Sequence, residues 1–165
     1  MKQKNAEESK TTSTRIVLPN DTNTLGNLMG GQLLSWMDIT SAIAAHRHCG
    51  RVVVTASVNN VSFNSPIGLG DIVTIEAKVS RAFTSSMEVF LDVCVDSKST
   101  RQKTKSNEAI YTFVAVDQNG NSIEVPELVP ETTEEKDRYN GALRRKQLSL
   151  ILAGKNTSQS GRSVN

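Results

Sequence analysis

The sequence predicts an α+β fold in which one long helix covers an antiparallel sheet, and three observations carry that prediction. The first is GQLLSWMDITSAIAAHRHC, a mostly apolar or small run closed by Gly50 and too long for a strand. The second is the change of period just after it: from Arg51 onward the apolar residues recur at every second position through several segments separated by turn residues. The third is the order of the segments. Strands follow one another without intervening helices, which argues for antiparallel neighbours and against a doubly wound parallel sheet.

Each element follows from its own residues. MKQKNAEESKTTST, residues 1–14, is polar and has no apolar h-region, so it is expected to be a disordered tail and not a secretory signal. RIVL, residues 15–18, reads as a first strand closed by Pro19, and NDTNTLGN as a loop. The helix runs roughly from Met29 to Cys49. Gly50 suits the left-handed position just past its end. Arg47, with His46 and His48 when protonated, suits the negative end of its dipole.

RVVVTASVNNVSFNSP places Val52, Val54, Ala56 and Val58 on one face. The phase slips by one at Val61 and Phe63, so a β-bulge is expected at Asn59-Asn60. PIGLGD is a turn, with Gly68-x-Gly70 as punctuation rather than a phosphate loop. IVTIEAKVSRAF aligns Val73, Ile75, Ala77 and Val79. After the FTSS turn, MEVFLDVCVD points Met87, Val89, Leu91, Val93 and Val95 inward, with Glu88, Asp92 and Asp96 outward. DSKSTRQKTKS is a polar connection, NEAIYTFVAVD a further strand, and QNGN its closing turn. VPELVPET is punctuated by proline. TTEEKDRYNGALRRKQLSLILAG reads as a C-terminal helix capped by Thr132 or Thr133, with acids in its first turn. The folded domain is thus expected over residues 15–153, followed by a disordered tail, 154–165.

A chain of 165 residues is one domain with a core of ordinary size. A net charge of +2 gives no bias toward nucleic acid or a membrane surface, and no window is long and apolar enough to span a bilayer. Cys49 and Cys94 are expected reduced, in a cytoplasmic protein. Neither suits a nucleophile. Cys49 sits at a helix C-terminus, where the dipole disfavours a thiolate, and Cys94 shares a face with Asp92 and Asp96. His46-x-His48 lacks the i, i+4 spacing of helical zinc ligands, so no metal site is expected.

One residue in the long helix breaks its apolar character. Asp38 stands among Leu33, Leu34, Trp36, Met37 and Ile39. At 100° per residue its surface neighbours are Gly31, Leu34, Ser35, Ser41, Ala42 and Ala45, nearly all small. Another backbone, a subunit or a ligand can therefore approach it closely. No Lys or Arg lies within helical reach, and a shielded carboxylate is costly unless it is paired. Gly30-Gly31 opens the same helix. Bare N–H groups at a positive helix end suit a carbonyl oxygen or an oxyanion, although a glycine pair also serves a tight entry turn. Gly31 and Asp38 lie two turns apart on one face, roughly 10 Å along the axis, which leaves room for an acyl group between them.

Taken together, Pro19-x-Asp21-x-Asn23-x-x-Gly26, Gly30-Gly31, Trp36-Met37-Asp38, Arg51-Val-Val-Val-Thr55, Val61-Ser-Phe-Asn-Ser-Pro66 and Gly70-Asp71 resemble the hotdog-fold acyl-CoA thioesterases, in particular the cytosolic hexameric acyl-CoA hydrolases. The resemblance covers about residues 15–150. It implies a long central helix wrapped by an antiparallel sheet, and hydrolysis of a coenzyme A thioester to a free acid and coenzyme A. Coenzyme A is then part of the substrate, and no cofactor is needed. Asp38 matches the catalytic carboxylate, as general base or as nucleophile, and Asn23 matches the amide that orients water or carbonyl. Gly31, with Gly30, would polarise the carbonyl. The implied assembly is a homo-oligomer, a trimer of hotdog dimers, with sites shared between subunits.

Among other contacts for an acyl-CoA, Arg81 suits the anionic nucleotide end, as do Arg144, Arg145 and Lys146. Thr84, Ser85 and Ser86 suit the pantetheine arm, and Asn59 and Asn60 the substrate near the expected bulge; each equally suits a solvated, turn or bulge role. Met29 stands where many relatives carry an aromatic, a difference that bears on acyl-chain length. Two alternatives remain. An acyl-CoA-binding regulator is disfavoured because residues 1–14 are too short for a helix-turn-helix. An enoyl-CoA hydratase is disfavoured because His46 and His48 lie on the helix of Asp38 and not in a facing loop.

Overall fold

The computed structural model describes residues 1–59, 61–62 and 65–160. Its elements in chain order are β1 (Lys4–Asn5), a short 3-10 turn (Ala6–Ser9), β2 (Thr11–Ile16), α1 (Gly30–Cys49), β3 (Val52–Asn59), β4 (Ile72–Ala82), β5 (Ser86–Asp96), β6 (Lys103–Val116), β7 (Leu128–Val129) and α2 (Thr133–Ser160). Five strands form one antiparallel sheet in the order β2-β4-β5-β6-β3, and β1 pairs in parallel with β7. This is the helix-and-sheet layering that the resemblance implies.

The inner face of the sheet is apolar because alternation puts Val73, Ile75, Ala77 and Val79 of β4 beside Met87, Val89, Leu91 and Val93 of β5, all buried. Tyr111 and Phe113 of β6 stack at 6.2 Å on the same face. Helix α1 covers this surface with Leu33, Trp36, Met37, Ala44 and Ala45. Its buried Thr40 and Ser41 hydroxyls donate to the carbonyls of Trp36 and Met37, so they carry no unpaired polar atom into the core. Gly50 ends the helix as expected, at φ +68°, with its N–H on the His46 carbonyl.

The outer face is polar, and α2 holds it with charges. Thr132 caps α2 by accepting the Glu135 N–H, and the Glu135 carboxylate accepts the Thr132 N–H in return. Lys78 pairs with Glu135, Arg138 with Asp92, and Arg145 makes two hydrogen bonds to Glu88. The Arg138 guanidinium also lies over the Phe90 ring at 4.0 Å.

Several expectations need correction. Residues 1–14 are not a free tail: Ala6 and Ser9 are buried, the Ser9 Oγ accepts the Val79 N–H, and the first sheet strand starts at Thr11, not Arg15. At the other end α2 continues past Gly154 to Ser160, so the 154–165 tail begins as helix; residues 161–165 lie outside those described. A register shift falls in β3 at Ala56, between Thr55 and Ser57; the bulge expected at Asn59-Asn60 involves Asn60, which lies outside the described residues. Glu88 does point to the outer face, but α2 buries it. His48 is fully buried and not a cation at the helix end. Its Nε2–H donates to the Pro126 carbonyl at 2.7 Å, and burial pushes its pKa below the ordinary value, so a neutral ring ties α1 to the segment before β7.

Candidate active site

The site is built where α1 crosses β3 and β6. Thr55 and Val58 are three residues apart and would face opposite sides of a regular strand. The bulge at Ala56 cancels that difference. Thr55 pairs with Phe113 and Val58 with Tyr111, so both face α1. From there the Thr55 Oγ1 donates to Oδ1 of Asp38 at 2.8 Å. The carboxylate that lacks a partner on its own helix is therefore oriented from the sheet, and Oδ2 is left for a ligand or water.

Asp38 opens into a cleft of ≈ 750 Å³, lined by Gly31, Leu34 and Ser35 of α1, by Val58, Asn59 and Val61, and by Tyr111. Of the neighbours drawn from helical spacing, Gly31, Leu34 and Ser35 line the cleft with Asp38, and Ser41, Ala42 and Ala45 do not. No side chain caps the N-terminus of α1, and a Cβ placed on Gly31 would meet nothing within 4 Å. The Gly31 backbone therefore borders open space at the positive end of the helix. The Tyr111 hydroxyl donates to the Leu34 carbonyl at 3.2 Å. Burial, and secondarily the charge of Asp38, push its pKa up to about 12, so it stays a neutral donor.

The loop before α1 is fixed by its own polar side chains. Asp21 accepts the Leu18 N–H and the Gln32 side-chain amide, and its carbonyl accepts the Met29 N–H. The Asn23 side-chain oxygen accepts the N–H groups of Leu25 and Asn27, which leaves its NH₂ group as the half available to a ligand. Within one protomer Asn23 is exposed and does not line the Asp38 cleft. Gly30 borders a smaller neighbouring hollow with Leu28, Leu33 and Pro66.

Arg81 and Thr84 border a separate cavity of ≈ 690 Å³ beside Tyr139 and Pro126. There the Arg81 guanidinium stacks on Tyr139 at 3.8 Å and donates to its carbonyl. Ser85 sits in the adjoining turn, its carbonyl accepting the Ala115 N–H. Asn60 lies outside the described residues. Arg145 is engaged by Glu88 and so is not a free cation for a phosphate. Burial raises the Cys49 thiol pKa, as suits a passive cysteine. No group of His, Cys, Asp and Glu among the described residues is arranged to hold a metal ion.

Sequence reasoning missed two residues around Asp38, Thr55 and Tyr111. Thr55 was visible only as the last residue of the RVVVT motif, and its reach to Asp38 depends on a bulge that no residue type announces. Tyr111 read only as part of the strand NEAIYTFVAVD.

A long helix seated on a five-stranded antiparallel sheet, with an acid on the helix facing an open cleft, defines a hotdog-type thioesterase domain. The thioesterase superfamily model matches residues 25–100. The uncharacterized acyl-CoA thioester hydrolase YkhA of Bacillus subtilis is 44% identical over 139 residues, covering 84% of this chain and 81% of that protein. A solved hexameric acyl-CoA thioesterase superposes with a TM-score of 0.87 at 38% identity, over 93% of this chain and 98% of that one. An acyl-CoA hydrolase of Staphylococcus aureus, solved with butyryl coenzyme A, coenzyme A and coenzyme A disulfide, superposes with a TM-score of 0.84 at 35% identity, over 98% and 100% of the two chains. The chain belongs to the acyl-CoA thioester hydrolases of the thioesterase superfamily. That S. aureus enzyme has also been solved with an asparagine, an aspartate or a threonine replaced by alanine. The spacings between those three positions equal those between Asn23, Asp38 and Thr55.

Proposed function

We propose that this chain is an acyl-CoA thioesterase in which Asp38 acts as general base. The observation that carries the reading is the Asp38 carboxylate, held through Oδ1 by Thr55 and open through Oδ2 to a cleft that also reaches the N-terminus of α1. A water donating to Oδ2 gives up its proton as its oxygen attacks the thioester carbonyl carbon. The carbonyl oxygen takes up negative charge and is stabilised by the N–H of Gly31, aided by Gly30. Collapse of the tetrahedral adduct breaks the carbon–sulfur bond. The thiolate of coenzyme A leaves and takes a proton, and the free acid remains. Because Thr55 already occupies one carboxylate oxygen, general-base action is favoured over attack by Asp38 itself.

Asn23 completes the site from a second copy of the chain, where its free NH₂ orients the water or the carbonyl. A shared site fits a cleft that one protomer leaves open. It also fits the exposed Val52 and Val54 on edge strand β3 and the exposed Ile39 and Ile43 on α1, which invite a partner. The full assembly in this reading is a trimer of hotdog dimers. Arg81, Thr84 and Ser85 at the β4–β5 turn contact the nucleotide and pantetheine of coenzyme A, and Asn60 contacts the substrate near the cleft. The reaction needs no cofactor, no metal and no nucleic acid. No described helix is long and apolar enough to cross a membrane. A cytoplasmic location is in keeping with the two free cysteines.

The test is release of coenzyme A, followed with a thiol reagent, across acetyl, butyryl, octanoyl and palmitoyl thioesters. Turnover of at least one is expected. Tight binding without turnover would replace the reading with that of an acyl-CoA sensor.

A further inference from the structure

The cleft beside Asp38 has an apolar floor, and its composition carries information about the acyl group. Leu34 lies on the helix side and Val58 and Val61 on the strand side, with the ring of Tyr111 between them. That ring is held from three directions. It is only 1% exposed, it stacks against Phe113, and its hydroxyl is tied to the Leu34 carbonyl of α1. Its cross-strand neighbour on β5, Val89, is fully buried. Met29 stands 39% exposed at the helix start and does not line this cleft.

We infer that Tyr111 sets the acyl-chain length this site accepts, by closing the cleft floor so that the acyl group lies over Leu34, Val58 and Val61 and does not enter the core. The inference rests on the thioesterase reading and deepens it. Three properties make Tyr111 suited to the role. The ring fills the space between helix and sheet. Its stacking removes the freedom to swing aside. Its hydroxyl bonds the carbonyl that, in helical register, receives the Asp38 N–H, so floor and base share one turn of α1. Wild type accordingly favours the short members of an acyl series.

The experiment measures kcat/KM for acetyl, butyryl, octanoyl and palmitoyl thioesters with the full chain and three variants: Tyr111→Leu, Tyr111→Phe and Leu34→Ala. Near-UV circular dichroism and oligomeric state are recorded for each. Tyr111→Leu and Leu34→Ala deepen the floor and should move the octanoyl-to-butyryl ratio toward the longer chain by about tenfold or more, the range that pocket methylenes command. Tyr111→Phe keeps the ring and should keep the wild-type order of chain lengths. Leu34 is only half-buried, so its variant carries the test if Tyr111→Leu fails to fold.

An unchanged profile in the folded variants overturns the inference, and so does a wild type that already prefers palmitoyl. A Tyr111→Phe profile displaced as far as that of Tyr111→Leu would assign the effect to the hydroxyl and overturn the floor role. Absence of turnover by wild type on the whole series would remove the thioesterase reading itself, an outcome distinct from turnover with an unmoved profile.

Discussion

Replacing Thr55 by Val removes one hydroxyl from an edge strand, and the consequence can be worked from a single distance. The Thr55 Oγ1 donates to Asp38 Oδ1 at 2.8 Å. A hydrogen bond to a charged group contributes about 1.5–3 kcal/mol. Thr55 is exposed within the protomer, so water partly replaces the lost donor and the lower figure, about 1.5 kcal/mol, applies. The bond orients the base, so its loss falls on the transition state. At about 1.4 kcal/mol per decade, kcat/KM should drop about tenfold. Thr55→Ser restores the donor and should return to within about threefold of wild type. The assay is coenzyme A release at subsaturating substrate, with thermal unfolding as the folding control. Thr55→Val at the wild-type rate, or Thr55→Ser as slow as Thr55→Val, would refute the claim that this bond positions Asp38.

Gly31→Ala separates close approach from packing. A Cβ there meets nothing within 4 Å, so thermal stability should hold or rise by up to about 1 kcal/mol, while turnover falls because the methyl enters the Asp38 cleft; equal turnover would remove Gly31 from the site. Glu88→Ala removes both carboxylate acceptors of Arg145, which keeps only the Arg138 carbonyl at 3.4 Å, and the side-chain acceptor of Ser80, which keeps the backbone carbonyl of residue 88. Water reaches the partly exposed Arg145 and softens the loss, so denaturant unfolding should show about 2–3 kcal/mol of destabilisation. His48 lowers stability in acid. The unfolded chain protonates it near the ordinary value of 6.5, whereas the folded chain resists, so its contribution is present above that pH and is lost as pH falls below it. Urea midpoints measured between about pH 7.5 and about pH 5.5 should fall less steeply for His48→Gln than for wild type.

Where one physical signal decided the local structure, the sequence was legible. The apolar run ending in glycine placed α1 within a residue of its observed start, and alternation gave the buried faces of β4 and β5. Helical geometry alone grouped Gly31, Leu34 and Ser35 with Asp38. What stayed illegible depended on hydrogen bonds that apolar periodicity does not record. The N-terminal segment looks like a tail because it is polar, yet Asn5 and Glu8 cap one another and Ser9 substitutes a hydroxyl for a backbone acceptor in the sheet. Glu88 reads as a surface acid until Arg145, distant in the chain, covers it. Thr55 reaches Asp38 only because the bulge falls at Ala56, a position where composition gives no turn or bulge signal.

Asp38→Asn is the most direct measurement of the central claim. The amide keeps the size of the carboxylate and an oxygen for the Thr55 hydroxyl but cannot take a proton from water. Calorimetric titration with a poor-substrate or product ligand, coenzyme A itself, should give affinity close to wild type, while coenzyme A release from the best thioester should fall by a factor on the order of 10²–10⁴, the range of general-base catalysis. Wild-type turnover by a folded Asp38→Asn protein would contradict the account, because the proton would then have to go to a group other than Asp38.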